Sequence, residues 1–293
     1  MRRSSVISAS LTERLKAQGL DPVALTDLIQ RALAEDFASE DKTTLATIDS
    51  VQTSSATLKS RSAGVVAGIN VAAAVFEISG VTEIEFIKKC GESLAPGETI
   101  LTISGKTRSI LSGERVALNL ISHLSGIATT TKIWVDRISG TGAVIRDTRK
   151  TTPGLRELEK FAVRIGGGEN HRMNLADSAL IKDNHIAAAG SITDAIAKVR
   201  SQYPGISLEV EVDSIEQLEE ALKSSPEMIL LDNMSIQDTK RAVELTKESK
   251  TLLESSGGLT LETVRSYAEC GVDYLAVGAI THSAPILDIG LDF

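Results

Sequence analysis

Ser207 to Asn233 reads "SLEVEVDSIEQLEEALKSSPEMILLDN". Two short strand-like runs, "SLEVEVD" and "MILLDN", flank one helical stretch, "IEQLEEALKSS". Strand, helix and strand in that order make a crossover unit, and crossover units build parallel sheets. The alternation continues on both sides. "AVIRD", "SALIKDNH", "TLLESSGG" and "DYLAVGA" are further strand candidates, while "ITDAIAKVRSQY" and "LETVRSYAECG" are further helices. Six strands follow Gly142, too few to close a full barrel, so an incomplete parallel α/β barrel is expected.

Upstream the rhythm differs. "SLTERLKAQGL" and "DPVALTDLIQRALAED" read as short amphipathic helices, with Ser10 or Thr12 and Asp21 as caps and Pro22 in a first turn. "SSATLKSRSAGVVAG" alternates like a strand. "IEFIKKCGESLAPGETILTISG" reads as strand, turn, strand punctuated by Gly91 and Gly97. That hairpin faintly resembles a lipoyl or biotin carrier, but neither Lys88 nor Lys89 has a carrier's methionine-flanked turn. The longest helical candidate spans Gly113–Gly140, with Val116, Leu120, Ile121, Leu124 and Ile127 at helical spacing. Gly126 interrupts it at about 1 kcal/mol of propensity, which implies a bend or a close contact. An N-terminal α+β sandwich over residues 1–126 and a barrel over 127–286 are expected, with 287–293 rejoining the first domain.

Composition narrows the function. The chain of 293 residues carries a formal net charge of -8, which argues against a nucleic-acid coat. Cys90 and Cys270 form no CxxC pair, so neither a disulfide framework nor a thiolate metal site is expected. "MRRSSVISASL" lacks an apolar core long enough for a secretory leader. "GVVAGINVAAAVFEI" is too short to span a bilayer, so no membrane association and a cytoplasmic protein are expected.

Against that acidity, Ile145–Asn174 gathers Arg146, Arg149, Lys150, Arg156, Lys160, Arg164, His171 and Arg172, opposed by Asp147, Glu157, Glu159 and Glu169. A local field of that sign suits a small anion. The strand ends then contribute as a set: Arg149 and Lys150 after "AVIRD", Lys182 in "IKDNH", Glu211 in "EVEVD", Asp232 in "LLDN", Ser256, Gly257 and Gly258 in "ESSGG", and Gly278 in "AVGA". In a parallel barrel all of these open onto one rim. Each also has a plainer reading. Lys182 can pair with Asp183 at the surface, "EVEVD" can be a solvated edge strand, Asp232–Asn233 can be a turn, and His171 can be an internally satisfied histidine. The glycine turns after the last two strands suit a phosphate, which backbone N–H groups would face.

In this order, "ERVALNLISHLSGIAT", "RDTRKTTPGLR", "GGGENHR", "LIKDNH", "EVEVD", "LLDN", "ESSGG" and "YLAVGAITHS" resemble the quinolinate phosphoribosyltransferase family, with looser support from "LAEDFASEDKTT" and "GVVAG". Lys42 departs from the apolar residue usual before the family's Thr pair. The resemblance implies transfer of phosphoribosyl from phosphoribosyl pyrophosphate (PRPP) to quinolinate, releasing pyrophosphate and carbon dioxide. It implies that Arg149, His171 and Arg172 grip quinolinate and that Lys150 and Lys182 serve both substrates. Glu211 and Asp232 would meet the ribose, help position Mg²⁺, directly or indirectly, and stabilise developing positive charge. Ser256, Gly257, Gly258 and Gly278 would receive the 5′-phosphate, and Gly166–Gly168 would bring His171 and Arg172 to the substrate. Arg115 would reach a neighbouring subunit's site, making a homodimer or a higher homo-oligomer. A barrel enzyme for another aromatic acid, or a non-catalytic phosphosugar-binding barrel, are the competing readings.

Overall fold

The computed structural model describes residues 7–293, so the opening "MRRSSV" examined for a leader lies outside the described residues. In chain order the elements are α1 (Ala9–Ala17), α2 (Pro22–Glu35), α3 (Lys42–Thr47), β1 (Thr53–Ser60), β2 (Gly64–Val65), α4 (Ile69–Ser79), β3 (Glu83–Phe86), β4 (Ser93–Leu94) and β5 (Thr99–Lys106). Then come α5 (Thr107–Arg137), β6 (Val144–Arg146), α6 (Arg156–Ile165), β7 (Ala179–Ile181), α7 (Asp183–Ala189), α8 (Ile192–Gln202), β8 (Leu208–Val212) and α9 (Ile215–Leu222). The chain finishes with β9 (Met228–Asp232), α10 (Ile236–Thr246), β10 (Leu252–Ser256), α11 (Val264–Ala268), β11 (Tyr274–Ala276), α12 (Ala279–His282) and β12 (Ile289–Asp292).

Two compact units emerge. One comprises the chain up to Thr130 with 157–166 and 284–293; the other comprises 131–156 and 167–283. The break thus falls inside α5, a few residues past Gly126. Most of α6, which the sequence reading put in the barrel, belongs with the first unit.

The first unit is built on an antiparallel sheet in the order β12-β1-β5-β3. The apolar run too short for a membrane is α4, whose Val71, Ala72, Ala73, Ala74, Val75 and Phe76 are all sealed from solvent. No helix among the described residues is long and apolar enough to cross a membrane. Asp21 caps α2 by accepting from the Val23 N–H at 2.8 Å with Pro22 next to it, whereas α1 is capped by Ser8 rather than Ser10 or Thr12. Gly91 and Gly97 sit at φ +93° and +87°, the left-handed region that a hairpin corner requires and only glycine enters freely.

α5 begins six residues before Gly113 and runs unbroken through Gly126. The expected close contact is there: the segment Pro285–Ile286 lies against Gly126 where a side chain would otherwise stand. Ser122 holds that segment by accepting from the Leu287 N–H at 3.0 Å.

The second unit holds the six expected strands in one parallel sheet, ordered β6-β11-β10-β9-β8-β7. Short parallel strands buried on both faces run nearly all apolar, as in "MILLD" of β9. Serines at the ends of the connections start the helices. Ser191, Ser214 and Ser235 accept from the N–H groups of Asp194, Gln217 and Asp238 at 3.0, 3.4 and 3.1 Å. Among the described residues no ladder joins β6 to β7, although Arg146 forms an isolated parallel bridge with Glu169 beside it. The strand count matches the six read from the sequence.

Candidate functional site

In a parallel sheet every strand delivers its last residues to the same edge, and the six strands here deliver chemistry. A cavity of about 350 Å³ at that edge is lined by Thr148, Arg149, Lys150, His171, Arg172, Leu180, Lys182, Glu211, Leu230, Asp232, Glu254, Ser256 and Ala276. A second hollow of about 190 Å³ shares Thr148, Lys150, Ser256 and Ala276 with it and adds Gly257, Gly258, Gly278 and His282. Glu211 and Asp232 also border a third, with Asp183, Asp213 and Gln217. Eleven of the twelve site candidates thus surround adjoining spaces; the other, Arg115, is exposed on α5 in the first unit.

Of the plainer readings, those for Lys182 and for an edge strand fail, while the turn at Asn233 and an internally satisfied His171 are both found. Lys182 pairs with Glu211 across β7 and β8, not with Asp183. β8 lies between β7 and β9, so it is no edge strand; Glu209 is buried and Glu211 lines the cavity, Asp213 is exposed, and Val210 and Val212 are buried. Asn233 does adopt a turn conformation, at φ +53°, and its amide donates to Asp232 Oδ2 at 2.9 Å. Asp232 nonetheless lines the cavity.

The basic stretch divides. Arg149, Lys150, His171 and Arg172 line the cavity, but Arg164 donates to the Gln18 carbonyl at 3.0 Å and Lys160 is buried on α6, both in the first unit. Arg156 supports the loop, donating to Thr151 Oγ1 at 3.0 Å and the Met173 carbonyl at 3.3 Å. Charge clustering in sequence overstated the cluster in space.

What remains is still strongly cationic. The Nε atoms of Arg149 and Arg172 are buried without a hydrogen-bond partner. Burial, then the guanidinium of Arg149, pull the pKa of Arg172 below the usual arginine range. A buried donor without an acceptor costs about 1–3 kcal/mol, and more when charged, so an acceptor-bearing anion beside this pair would relieve that cost.

The phosphate-type hollow is built from turns. Gly257 and Gly258 have φ +89° and +60°, and a Cβ on Gly257 would collide with the Asn233 side chain. A Cβ on Gly278 would press on Lys150 Cδ at 3.1 Å and on His282 Nε2 at 3.3 Å. Bare backbone at these positions leaves room for an anion close to the chain. Gly167, at φ +90°, turns the chain out of α6 and into the loop that carries His171 and Arg172.

Sequence reasoning missed the floor. Glu254 is a buried residue of the cavity lining, Glu209 is buried against His171, and Arg146 Nη1 donates to Glu254 Oε2 at 2.8 Å. Both acids stood inside quoted motifs; the available signal was a charged residue in the middle of an otherwise apolar parallel strand, which has to face a polar interior.

Residues 127–292 match the family described as quinolinate phosphoribosyl transferase, C-terminal domain, and residues 41–125 match its N-terminal domain. The chain belongs to the quinolinate phosphoribosyltransferase family. A relative from Mycobacterium leprae (strain TN), bearing the name nicotinate-nucleotide pyrophosphorylase [carboxylating], is 51% identical over 275 residues, covering 92% of this chain and 97% of its own. A Bacillus subtilis (strain 168) protein, a probable nicotinate-nucleotide pyrophosphorylase [carboxylating], is 41% identical over 93% of this chain and 94% of its own. The crystal structure of NadC from Streptococcus pyogenes superposes with a TM-score of 0.89 at 41% identity, covering 94% of this chain and 97% of that one. Lys42, the departure from the usual quinolinate phosphoribosyltransferase pattern, opens α3 in the first unit and is not among the residues that line these cavities.

Proposed function

We propose that the chain transfers the phosphoribosyl group of PRPP to quinolinate, forming nicotinate mononucleotide, pyrophosphate and carbon dioxide, a step of NAD biosynthesis. One observation carries the reading. Arg149 and Arg172, whose buried Nε–H groups have no partner in the protein, line a cavity that adjoins the glycine-lined hollow. A ring with two adjacent carboxylates answers the first space and a phosphate the second.

The chemistry asks for positioning and charge rather than a nucleophile on the protein. The pyridine nitrogen attacks C1′ as the bond from C1′ to pyrophosphate breaks, through an oxocarbenium-like transition state. Glu211 and Asp232 stabilise the developing positive charge, while Lys150 and Lys182 neutralise the leaving group. The ring nitrogen is then cationic. When the bond from C2 to its carboxylate breaks, that cation stabilises the electron pair left on C2, which takes a proton in place of carbon dioxide.

Glu211 and Asp232 are hard oxygen donors on neighbouring strands, which fits Mg²⁺, and they would hold it directly or through water. Bound there, the ion would supply charge neutralisation to the pyrophosphate. Arg115, exposed in the first unit, is assigned to the neighbouring subunit's pocket in a homodimer. The substrates and the small number of cysteines suit the cytoplasm.

Purified protein supplied with PRPP, Mg²⁺ and carboxyl-labelled quinolinate should release labelled carbon dioxide and pyrophosphate in equal amounts. Turnover of nicotinate as fast as quinolinate, or faster, would overturn the substrate assignment.

A further inference from the structure

His171 is not placed like the arginines and lysines of the cavity. Its Nδ1 accepts from the Arg172 backbone N–H at 2.7 Å, so the ring proton belongs on Nε2. Nε2 in turn lies 2.9 Å from Glu209 Oε2 and 3.5 Å from Glu254 Oε1. Its own backbone N–H donates to Asp147 Oδ1 at 2.9 Å. Both ring nitrogens therefore face protein, and the imidazole spans from the acids of the cavity floor to the peptide that carries Arg172.

His171, Glu209 and Glu254 offer ligand atoms within 4.8 Å of one another, a spacing that would suit a metal ion. The hydrogen bonds argue against that use. With Nδ1 accepting the Arg172 amide, Nε2 has a proton and no lone pair to give, and Arg146 Nη1 already occupies Glu254 Oε2 at 2.8 Å. Arg146 is fixed as well, stacked 4.5 Å from the centroid of the Tyr274 ring and donating to the Asn170 carbonyl at 3.3 Å.

We propose that Glu209 and Glu254 are positioning residues for the dicarboxylate pocket, acting through the imidazole of His171 to fix the backbone from which Arg172 projects. His171 is then a strut rather than a grip on substrate. Glu209 Oε2 accepts the hydrogen bond donated by the ring Nε2–H. Glu254, anchored by Arg146, closes the floor on the other side and keeps the ring from turning. Hydrogen bonds of this kind set the orientation of a binding group through the residue that carries it. The inference rests on the assignment of Arg172 to quinolinate.

Two measurements test it. Selective ¹⁵N labelling of the four histidines should show His171 protonated on Nε2 and bare on Nδ1. Titration calorimetry should show quinolinate binding weakened about tenfold or more in Glu209→Ala, with PRPP binding within about twofold of wild type. Glu209→Gln retains an acceptor for the ring N–H and should recover to within about threefold. If Glu209→Ala does not fold, Glu209→Gln and the wild-type tautomer decide. A proton on Nδ1 overturns the proposal. So does an unchanged quinolinate affinity in Glu209→Ala, an equal loss for PRPP, or a tenfold loss in Glu209→Gln. Wild-type turnover of quinolinate with PRPP judges the functional reading separately, whatever the Glu209 variants do.

Discussion

Arg149 and Arg172 turn like charges into one cavity, and neither Nε–H meets an acceptor from the protein. Their mutual repulsion and the burial of Arg172 are costs that a bound dianion, under the proposed function, would offset. Removing one guanidinium should then cost the dicarboxylate far more than PRPP. Arg172→Ala is expected to lower quinolinate affinity at least about a hundredfold, as for loss of a buried charge-assisted pair, with PRPP binding largely intact. Calorimetry with each substrate alone checks this. A collapse of PRPP affinity instead would show that Arg172 serves the phosphates.

Gly257 and Asn233 make the second pair. Gly257 stands at φ +89° with the Asn233 side chain pressed against its α-carbon, so an added methyl group meets both a strained backbone and a collision. Gly257→Ala should raise the KM for PRPP at least about tenfold, since displacing the turn by a fraction of an ångström disturbs backbone N–H groups aimed at a phosphate. The KM for quinolinate should move much less. Equal effects on both would mean that the turn supports the sheet rather than the phosphate.

Much of this was legible in the sequence, and for physical reasons. Parallel strands end at one edge, so reading "IKDNH", "EVEVD", "LLDN" and "ESSGG" as strand ends was enough to bring Lys182, Glu211, Asp232 and Ser256 together. What the strand pattern could not convey was which cations share that edge. "RELEKFAVRI" is a helix of mixed charge whose buried members include Glu159 and Lys160, and its partners come from distant sequence, as with His123 Nε2 at 2.8 Å from Glu159 Oε1. Local charge density carries no information about such pairing. The floor was hidden for a similar reason: Glu254 acquires its role from Arg146 and His171, both more than 80 positions away in the chain.

Gly126 offers a test in which two effects have opposite signs. Alanine is favoured over glycine inside a helix by about 1 kcal/mol, so Gly126→Ala would stabilise an isolated α5. Here the added methyl group would run into the Pro285 carbonyl and the Ile286 α-carbon, both backbone atoms that cannot rotate away. Overpacking of that kind costs about 1–3 kcal/mol and should win. Chemical denaturation of Gly126→Ala is expected to show a net loss of stability. A gain would mean that the 284–293 segment yields easily.

Glu254 should make stability depend on pH in the direction opposite to an ordinary surface acid. Burial first, then the charge of Glu209, push its pKa up to about 7 from the usual 4.5, against the pull of His171 and Arg146. Between those values the folded protein holds a proton that the unfolded chain releases, so raising the pH favours unfolding. The stabilisation that Glu254 contributes is complete below pH 4.5 and is lost as the pH rises through 7. Glutamine cannot titrate, so Glu254→Gln should gain on wild type by a few kcal/mol between pH 5 and pH 8, whatever its stability at the acid end. Denaturation curves of both proteins at several pH values isolate this difference, because all other titrating groups are common to the two. If the two stability profiles run parallel, Glu254 stays ionised in its buried site and Arg146 dominates there.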